Sequence, residues 1–442
     1  MAIAGSLAAF DHVERAHALT AEAVELANTG SDPAAMLLAG AIHGWHQLLI
    51  GDVEGANARL APVIELTPLV MNIGAEGLHL AQLVAIHHVV TERWDDADAL
   101  INSICQRARD NGWEATLAVA SGTGAALAYR RGDLRRAFAL GSGDLLDGAS
   151  APVSRGWALA LLAQITASLG LVDETEAHAA KAIEHANRFS LPVLASWAGH
   201  ALGHLALSRG DVDGALRHLE RTDHDFASRA LREPGLVAWH GDYIEALILA
   251  GHRRRAELAV DSLADVAEST GRMWAHGVVC RARAMLATPD ERVRWYDAAL
   301  AWHEQLGNPL ERARTLLCRG RDARTDRSLN DTAGVDDLLD AASMFERLGA
   351  TRWATVATDL LPNGLIRPRC ASPTTRLAAV LSSAERRVAD AVGRGLTNRQ
   401  TAGELCVSPK TVDFHLRNIF RKLGVRTRTE LALLVVANQA HA

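Results

Sequence analysis

The feature that most restricts how this 442-residue chain can fold is an internal period running from the start to about residue 360. The cue is an alanine-rich apolar segment, a turn of small or acidic residues, then a second segment with a small residue five places on. It recurs as IGDVEGA (Ile50–Ala56), ERWDDA (Glu92–Ala97), RGDLRRA (Arg131–Ala137), LGLVDET (Leu169–Thr175), RGDVDGA (Arg209–Ala215) and AGHRRRA (Ala250–Ala256). The turns start at 51, 92, 132, 170, 210 and 251, spacings of 38 to 41. That period fits stacked helical hairpins of a tetratricopeptide-like kind, in which each hairpin buries its apolar face only against its neighbours. Alanine at the contacts lets helices approach closely, and Gly-Asp turns end one helix and start the next. Aromatic residues make up only 5% of the chain and no two-residue alternation is sustained, so strands are not expected. The reading is all-α, with a solenoid over residues 1–361 as a sensor or interaction body.

Pro362, Gly364, Pro368 and Pro373 mark residues 362–376 as a partly stiffened linker. The segment beyond it, 377–442, has a different grammar of four short helices, each with its own start signal. Ser382 with Glu385, Thr397 with Gln400, and Thr427 with Glu430 are capping boxes, while Ser408 and Pro409 form an N-cap and first helical position. Val407 and Val412 stand at hydrophobic-staple spacing around that cap, and Gly395 and Gly424 fall where helices should stop. Val388, Ala391 and Val392, then Ala402 and Leu405, then Val412, Leu416, Ile419 and Leu423 give each of the first three helices a buried stripe. The opposite face of the third helix carries Lys410, Thr411, Phe414, Arg417, Asn418, Arg421 and Lys422. On a lone helix this is an ordinary solvated face. After a short scaffold helix and a tight turn, it is the arrangement that lays a recognition helix in the major groove of double-stranded DNA.

These residues resemble the LuxR-type helix-turn-helix through Leu381, Ser382, Glu385, Gly395, Leu396, Thr397, Asn398, Ala402, Leu405, Ser408, Thr411, Val412, His415, Ile419, Lys422 and Leu423. The resemblance implies DNA contacts from Thr397, Asn398, Lys410, Thr411, Phe414, Arg417, Asn418, Arg421 and Lys422. It also implies a homodimer on DNA paired through Leu431, Leu434 and Val435 of the fourth helix. Thr401 replaces the family's usual isoleucine, which should loosen the scaffold helix. Asp413 stands where lysine is common in two-component members; it either accepts from a cytosine amino group or pairs with Arg417 one turn on. Leu306–Arg321 and Ala341–Leu361 are similar to the hairpin preceding the DNA-binding domain in large ATP-binding LuxR-family regulators. No G-x-x-x-x-G-K-[ST] occurs, and none of the three lysines follows glycine, so P-loop nucleotide binding is not carried over. Whether a separate or lost ATPase portion belongs with the chain stays open.

Charge supports the division. The whole chain carries −6, but residues 377–442 hold ten basic and five acidic groups, leaving −11 on the remainder. A basic module on an acidic body places phosphate binding in the module. Five scattered cysteines without C-x-x-C spacing support neither a disulfide framework nor a zinc knuckle. The N-terminus has no basic leader, and the most apolar stretch, Trp157–Val172, is too short and interrupted to span a bilayer, so a cytoplasmic location without membrane contact is expected. His200 and His204 stand four apart but have no third ligand in the sequence pattern, so no metal, cofactor or catalytic site is expected and an enzyme has little support. Trp157, Trp197 and Trp239 recur at the repeat period. They are either inter-repeat core or rings lining a ligand groove. The function expected is a sequence-specific transcriptional regulator whose solenoid senses a small molecule or protein. The alternative is an interaction scaffold or ATPase accessory subunit using the helix-turn-helix to dimerise.

Overall fold

The structure, a computed structural model, describes residues 13–30, 32–72, 74–142, 152–325, 331–362, 381–394, 396–405, 407–423, 431 and 435. Among them there is no strand, and no helix is long and apolar enough to cross a membrane. The chain divides into two compact units, Met1–Leu361 and Pro362–Ala442. Of the expected linker, all but Pro362 lies outside the described residues.

The first unit is an array of antiparallel helices: α1 Val13–Thr29, α2 Pro33–Leu49, α3 Val53–Val70, α4 Ala75–Val90, α5 Trp94–Asn111, α6 Glu114–Arg130, α7 Leu134–Ser142, α8 Pro152–Leu169 and α9 Val172–Phe189. It continues with α10 Pro192–Ser208, α11 Val212–Ser228, α12 His240–Leu249, α13 Arg253–Thr270, α14 Met273–Leu286, α15 Pro289–Leu306, α16 Pro309–Thr325, α17 Asp331–Leu348 and α18 Thr351–Asp359. Every one of the six turn starts seen in the sequence has positive φ, at Gly51, Glu92, Gly132, Gly170, Gly210 and Gly251. In the Gly-Asp turns the aspartate does two jobs. The Asp211 amide reaches back to the Ala206 carbonyl at 3.0 Å, closing a Schellman cap, and its carboxylate accepts from Gly214 N at 2.9 Å to open α11. Asp52 and Asp133 repeat this with Gln47 and Ala128. The residue five places past each turn (Ala56, Ala97, Ala137, Thr175, Ala215, Ala256) is fully buried, which is why only small side chains stand there.

One hairpin departs from the pattern. Arg229–Trp239 is irregular, so α12 has only ten residues. Pro234 offers no backbone N–H to a helix here, and Glu233 is committed to Gly235 N at 2.8 Å and to Arg272 at 2.8 Å.

The array is also a superhelix that closes on itself. The Glu92 carboxylate accepts from Met273 N at 2.7 Å and Trp274 N at 3.0 Å, capping α14 from 181 residues away. Thr351 Oγ1 donates to Leu169 O, 182 residues distant, and Arg232 N donates to Leu49 O at 2.8 Å. Gly132 lies against Pro309, where a Cβ would come within 3.0 Å of the ring. The turns of the first superhelical coil are thus seated on the helix starts of the second, between four and five hairpins later.

The second unit contains α19 Ser383–Gly393, α20 Asn398–Glu404 and α21 Pro409–Leu423. Both capping boxes are formed, and Thr411 N donates to the Ser408 hydroxyl at 3.1 Å. Gly395, Cys406, Gly424, Thr427 and Glu430 lie outside the described residues. The core unites Leu381, Val388, Ala389, Val392, Ala402, Val412, Leu416 and Ile419 with Leu431 and Val435.

Candidate nucleic-acid interface

The amphipathic stripe decides which way α21 faces. Val412, Leu416 and Ile419 are buried, which turns Asp413 and Arg417 outward as exposed side chains and leaves Thr411 and Asn418 half-buried at the margin. Thr397 caps α20 from an exposed position, and Asn398 follows it, half-buried. The Asn398 amide donates to Asp413 Oδ1, linking the start of the scaffold helix to the first turn of α21. Of the two readings open for Asp413, the pairing with Arg417 is not the contact found. Among the described residues no ion pair joins those two, and Asp413 is held across the helices instead of along one. Lys410, Phe414, Arg421 and Lys422 lie on α21 with side chains outside the described residues.

Thr401 is fully buried and its hydroxyl has no hydrogen-bond partner among the described residues. The dimer surface expected on the fourth helix needs correction. Leu431 is 0% and Val435 1% exposed inside the module's own core, and Val435 packs so closely on Gly393 that a Cβ there would overlap it. Side chains that close the monomer are not available to a second copy. Leu434 lies outside the described residues.

All three repeat-period tryptophans of the solenoid pack on its main core. Trp157 and Trp197 are half-buried with ring centroids 6.5 Å apart, each packed on the main core. Trp239 is 4% exposed, stacked on His240 at 3.9 Å and flanked by Phe226 and Tyr243.

What the solenoid interior does contain was not legible from spacing: a buried network of charges. His200 Nε2 and His204 Nδ1 both meet Asp242 Oδ2, at 3.1 and 2.8 Å. Arg314 bridges Asp242 at 3.0 Å and Glu245 at 2.5 Å, Arg321 adds a second contact to Glu245, and Arg281 pairs with Glu311. Burial by itself would raise the Asp242 carboxyl, but His204, Arg314 and the two histidine hydrogen bonds hold it well below the usual range. Against the same burial, Arg314 and Arg321 bring Glu245 to about 2, and Arg281 brings Glu311 to about 2.

His200, His204 and Asp242 also have the spacing of a three-ligand cation site. The geometry favours hydrogen bonds over a metal. Trp353 Nε1 donates to His204 Nε2 at 3.0 Å, so that nitrogen accepts and the ring proton sits on Nδ1, facing Asp242. A cation there would lose that lone pair and sit beside the Arg314 guanidinium.

Residues 379–435 match the family described as bacterial regulatory proteins, luxR family. Over 52 residues the chain is 44% identical to the transcriptional regulatory protein UhpA of Escherichia coli (strain K12). It is 42% identical over 62 residues to the monoamine regulon transcriptional regulator of Klebsiella aerogenes, and 41% over 56 to the nitrate/nitrite response regulator protein NarP of Escherichia coli (strain K12). These matches cover 12–14% of this chain, and the chain spans about a quarter of the length of those relatives. A solved Rap protein complexed with competence and sporulation factor superposes with TM-score 0.49 and 12% identity, over 74% of this chain and 96% of that one. The C-terminal module is a luxR-family helix-turn-helix.

Proposed function

We propose that the chain is a sequence-specific DNA-binding transcription regulator whose α-solenoid receives an effector and whose C-terminal module binds the operator. The observation that carries this reading is the outward presentation of Arg417 on α21, with Val412, Leu416 and Ile419 holding the opposite face in the core. With α21 in the major groove, Arg417 and Asn418 reach base edges. Thr397 and Asn398 approach the phosphates from the start of α20, and Lys410, Arg421 and Lys422 supply the salt-dependent attraction. Asn398 holds Asp413 to one side, which keeps that carboxylate off the phosphate path. Two copies on half-sites about one DNA turn apart complete the arrangement, through a surface other than Leu431 and Val435.

A gel shift of the full chain on the DNA upstream of its own gene, with random DNA as competitor, tests the reading. Arg417→Ala should weaken specific binding by roughly 1–3 kcal/mol while leaving binding to random DNA nearly unchanged. Undiminished discrimination between operator and random DNA in that variant overturns the assignment of Arg417.

A further inference from the structure

Asp413 and Arg417 are exposed one turn apart on the outer face of α21. Opposite charges at that spacing ordinarily find each other. Among the described residues Asp413 makes no ion pair, and its Oδ1 takes the Asn398 amide from the start of α20 instead. The second carboxylate oxygen, Oδ2, has no hydrogen-bond partner among the described residues. Val412 and Leu416, on the opposite side of the same turn, are 0% and 7% exposed, so the backbone that carries Asp413 is fixed against the module's core. An unneutralised carboxylate is thus held in a set position on the face that also presents Arg417.

We propose that Asp413, positioned by Asn398, selects a cytosine in the operator. The inference rests on the reading of α21 as a recognition helix and names a base that it reads. Most of what base pairs offer in the major groove is acceptor: guanine O6 and N7, adenine N7, thymine O4. A carboxylate without its own cation is repelled by all of these. Only the cytosine N4 and adenine N6 amino groups donate, and adenine sets its N7 acceptor beside the amino group. Cytosine carries no acceptor on that edge, so it meets a lone carboxylate at the least cost. Asp413 is the fifth residue of α21, in the N-terminal part that a recognition helix lays against base edges. Arg417 follows about 6 Å along the axis, so the two side chains address base pairs about two steps apart. An arginine there prefers guanine O6 and N7. The Asn398 amide has a separate task. It orders the carboxylate before DNA arrives, so that this ordering is not subtracted from the affinity, and it leaves Oδ2 for the base. The same charge works by exclusion, since it lowers affinity wherever no donor faces it.

The test is selection of binding sites by the full chain from a random duplex library, followed by Kd measurements on the selected and on random DNA. The selected motif should hold a cytosine about two base pairs from the guanine taken by Arg417, and exchanging that C·G pair for T·A should weaken binding roughly tenfold. Asp413→Asn removes the charge and keeps the shape. It should tighten binding to random DNA, lose the cytosine preference and cut the ratio of selected to random affinity at least about fivefold. Asn398→Ala should relax the preference at that one position and leave the guanine preference in place, a pattern that a general loosening of the module would not produce. An unchanged base preference in Asp413→Asn overturns the proposal, as does an equal gain on selected and random DNA, which would make the carboxylate a repulsive charge and nothing more. An unchanged preference in Asn398→Ala overturns the positioning role of Asn398. If the parent chain selects no motif, the regulator reading falls and this proposal with it, whereas a motif indifferent to Asp413 sinks the proposal alone.

Discussion

Replacing Arg314 by leucine should be among the most damaging single changes in the solenoid. Its side chain is 4% exposed, bridges Asp242 and Glu245, and lies 3.8 Å over the Trp353 ring. A leucine fills much of the space but leaves two buried carboxylates short of their shared cation. Breaking a buried pair by removing one partner costs about 3–5 kcal/mol, because the surviving charge stays desolvated. Urea unfolding followed by tryptophan fluorescence at pH 7 reads the loss as a lower midpoint, and the slope shows whether the same surface is exposed. The deficit should shrink at pH 5, because Glu245, left with Arg321, and Asp242, left with the two histidines, then take up protons more readily than in the parent. A variant within about 1 kcal/mol of the parent at pH 7, or a deficit identical at both pH values, would refute the reasoning, since surface ion pairs contribute only about that much.

The parent protein has the opposite pH dependence. Asp242, Glu245 and Glu311 have folded pKa values below their ordinary ones, so the stability they confer is present above about pH 4.5 and drains as pH falls toward 2; an acid titration of the melting temperature that stays flat across that window contradicts it. Glu92→Gln should cost about 1–3 kcal/mol, because it removes a charge-assisted cap on the amides of Met273 and Trp274, and amide exchange at the start of α14 should speed up. Gly210→Ala isolates backbone strain, because φ there is +74° and a Cβ would meet nothing within 4 Å; a loss of about 1–2 kcal/mol is expected, and no loss would show that the turn relaxes. Thr401→Val should raise the melting temperature of the C-terminal module by removing a buried, unpartnered hydroxyl, worth about 1 kcal/mol or more; a lower melting temperature would mean that the hydroxyl has a partner.

The hairpin turns were readable because each of three requirements leaves a residue type behind. Left-handed backbone leaves glycine, capping leaves aspartate, and close helix contact leaves Ala56, Ala97, Ala137, Ala215 and Ala256. The second set of turns, at Gly74, Gly112, Ser190, Ala230, Gly271, Gly307 and Gly349, has no aspartate after the turn residue and admits serine and alanine beside glycine, so it left a weaker shared trace. The start signals of α19, α20 and α21 were legible because capping is a local event among residues three apart. The fate of Leu431 and Val435 was not, since an apolar stripe looks the same whether it closes its own module or meets another chain. The partner of Asp413 was missed for a related reason: Asn398 stands on a different helix, and helical spacing suggests only partners on the same one. The charge network was beyond reach, because Asp242, His204, Arg314 and Trp353 come together only through the superhelical winding.

That winding imposes a counting rule on the gene. Glu92 finds the start of α14 only because 181 residues separate them, and Thr351 finds Leu169 only at 182. Adding or deleting one hairpin between such partners would rotate every later turn past its seat, breaking several distant contacts at once while leaving each neighbour-to-neighbour junction intact. An ordinary repeat array can lengthen one unit at a time. This one can change its length freely only at its ends.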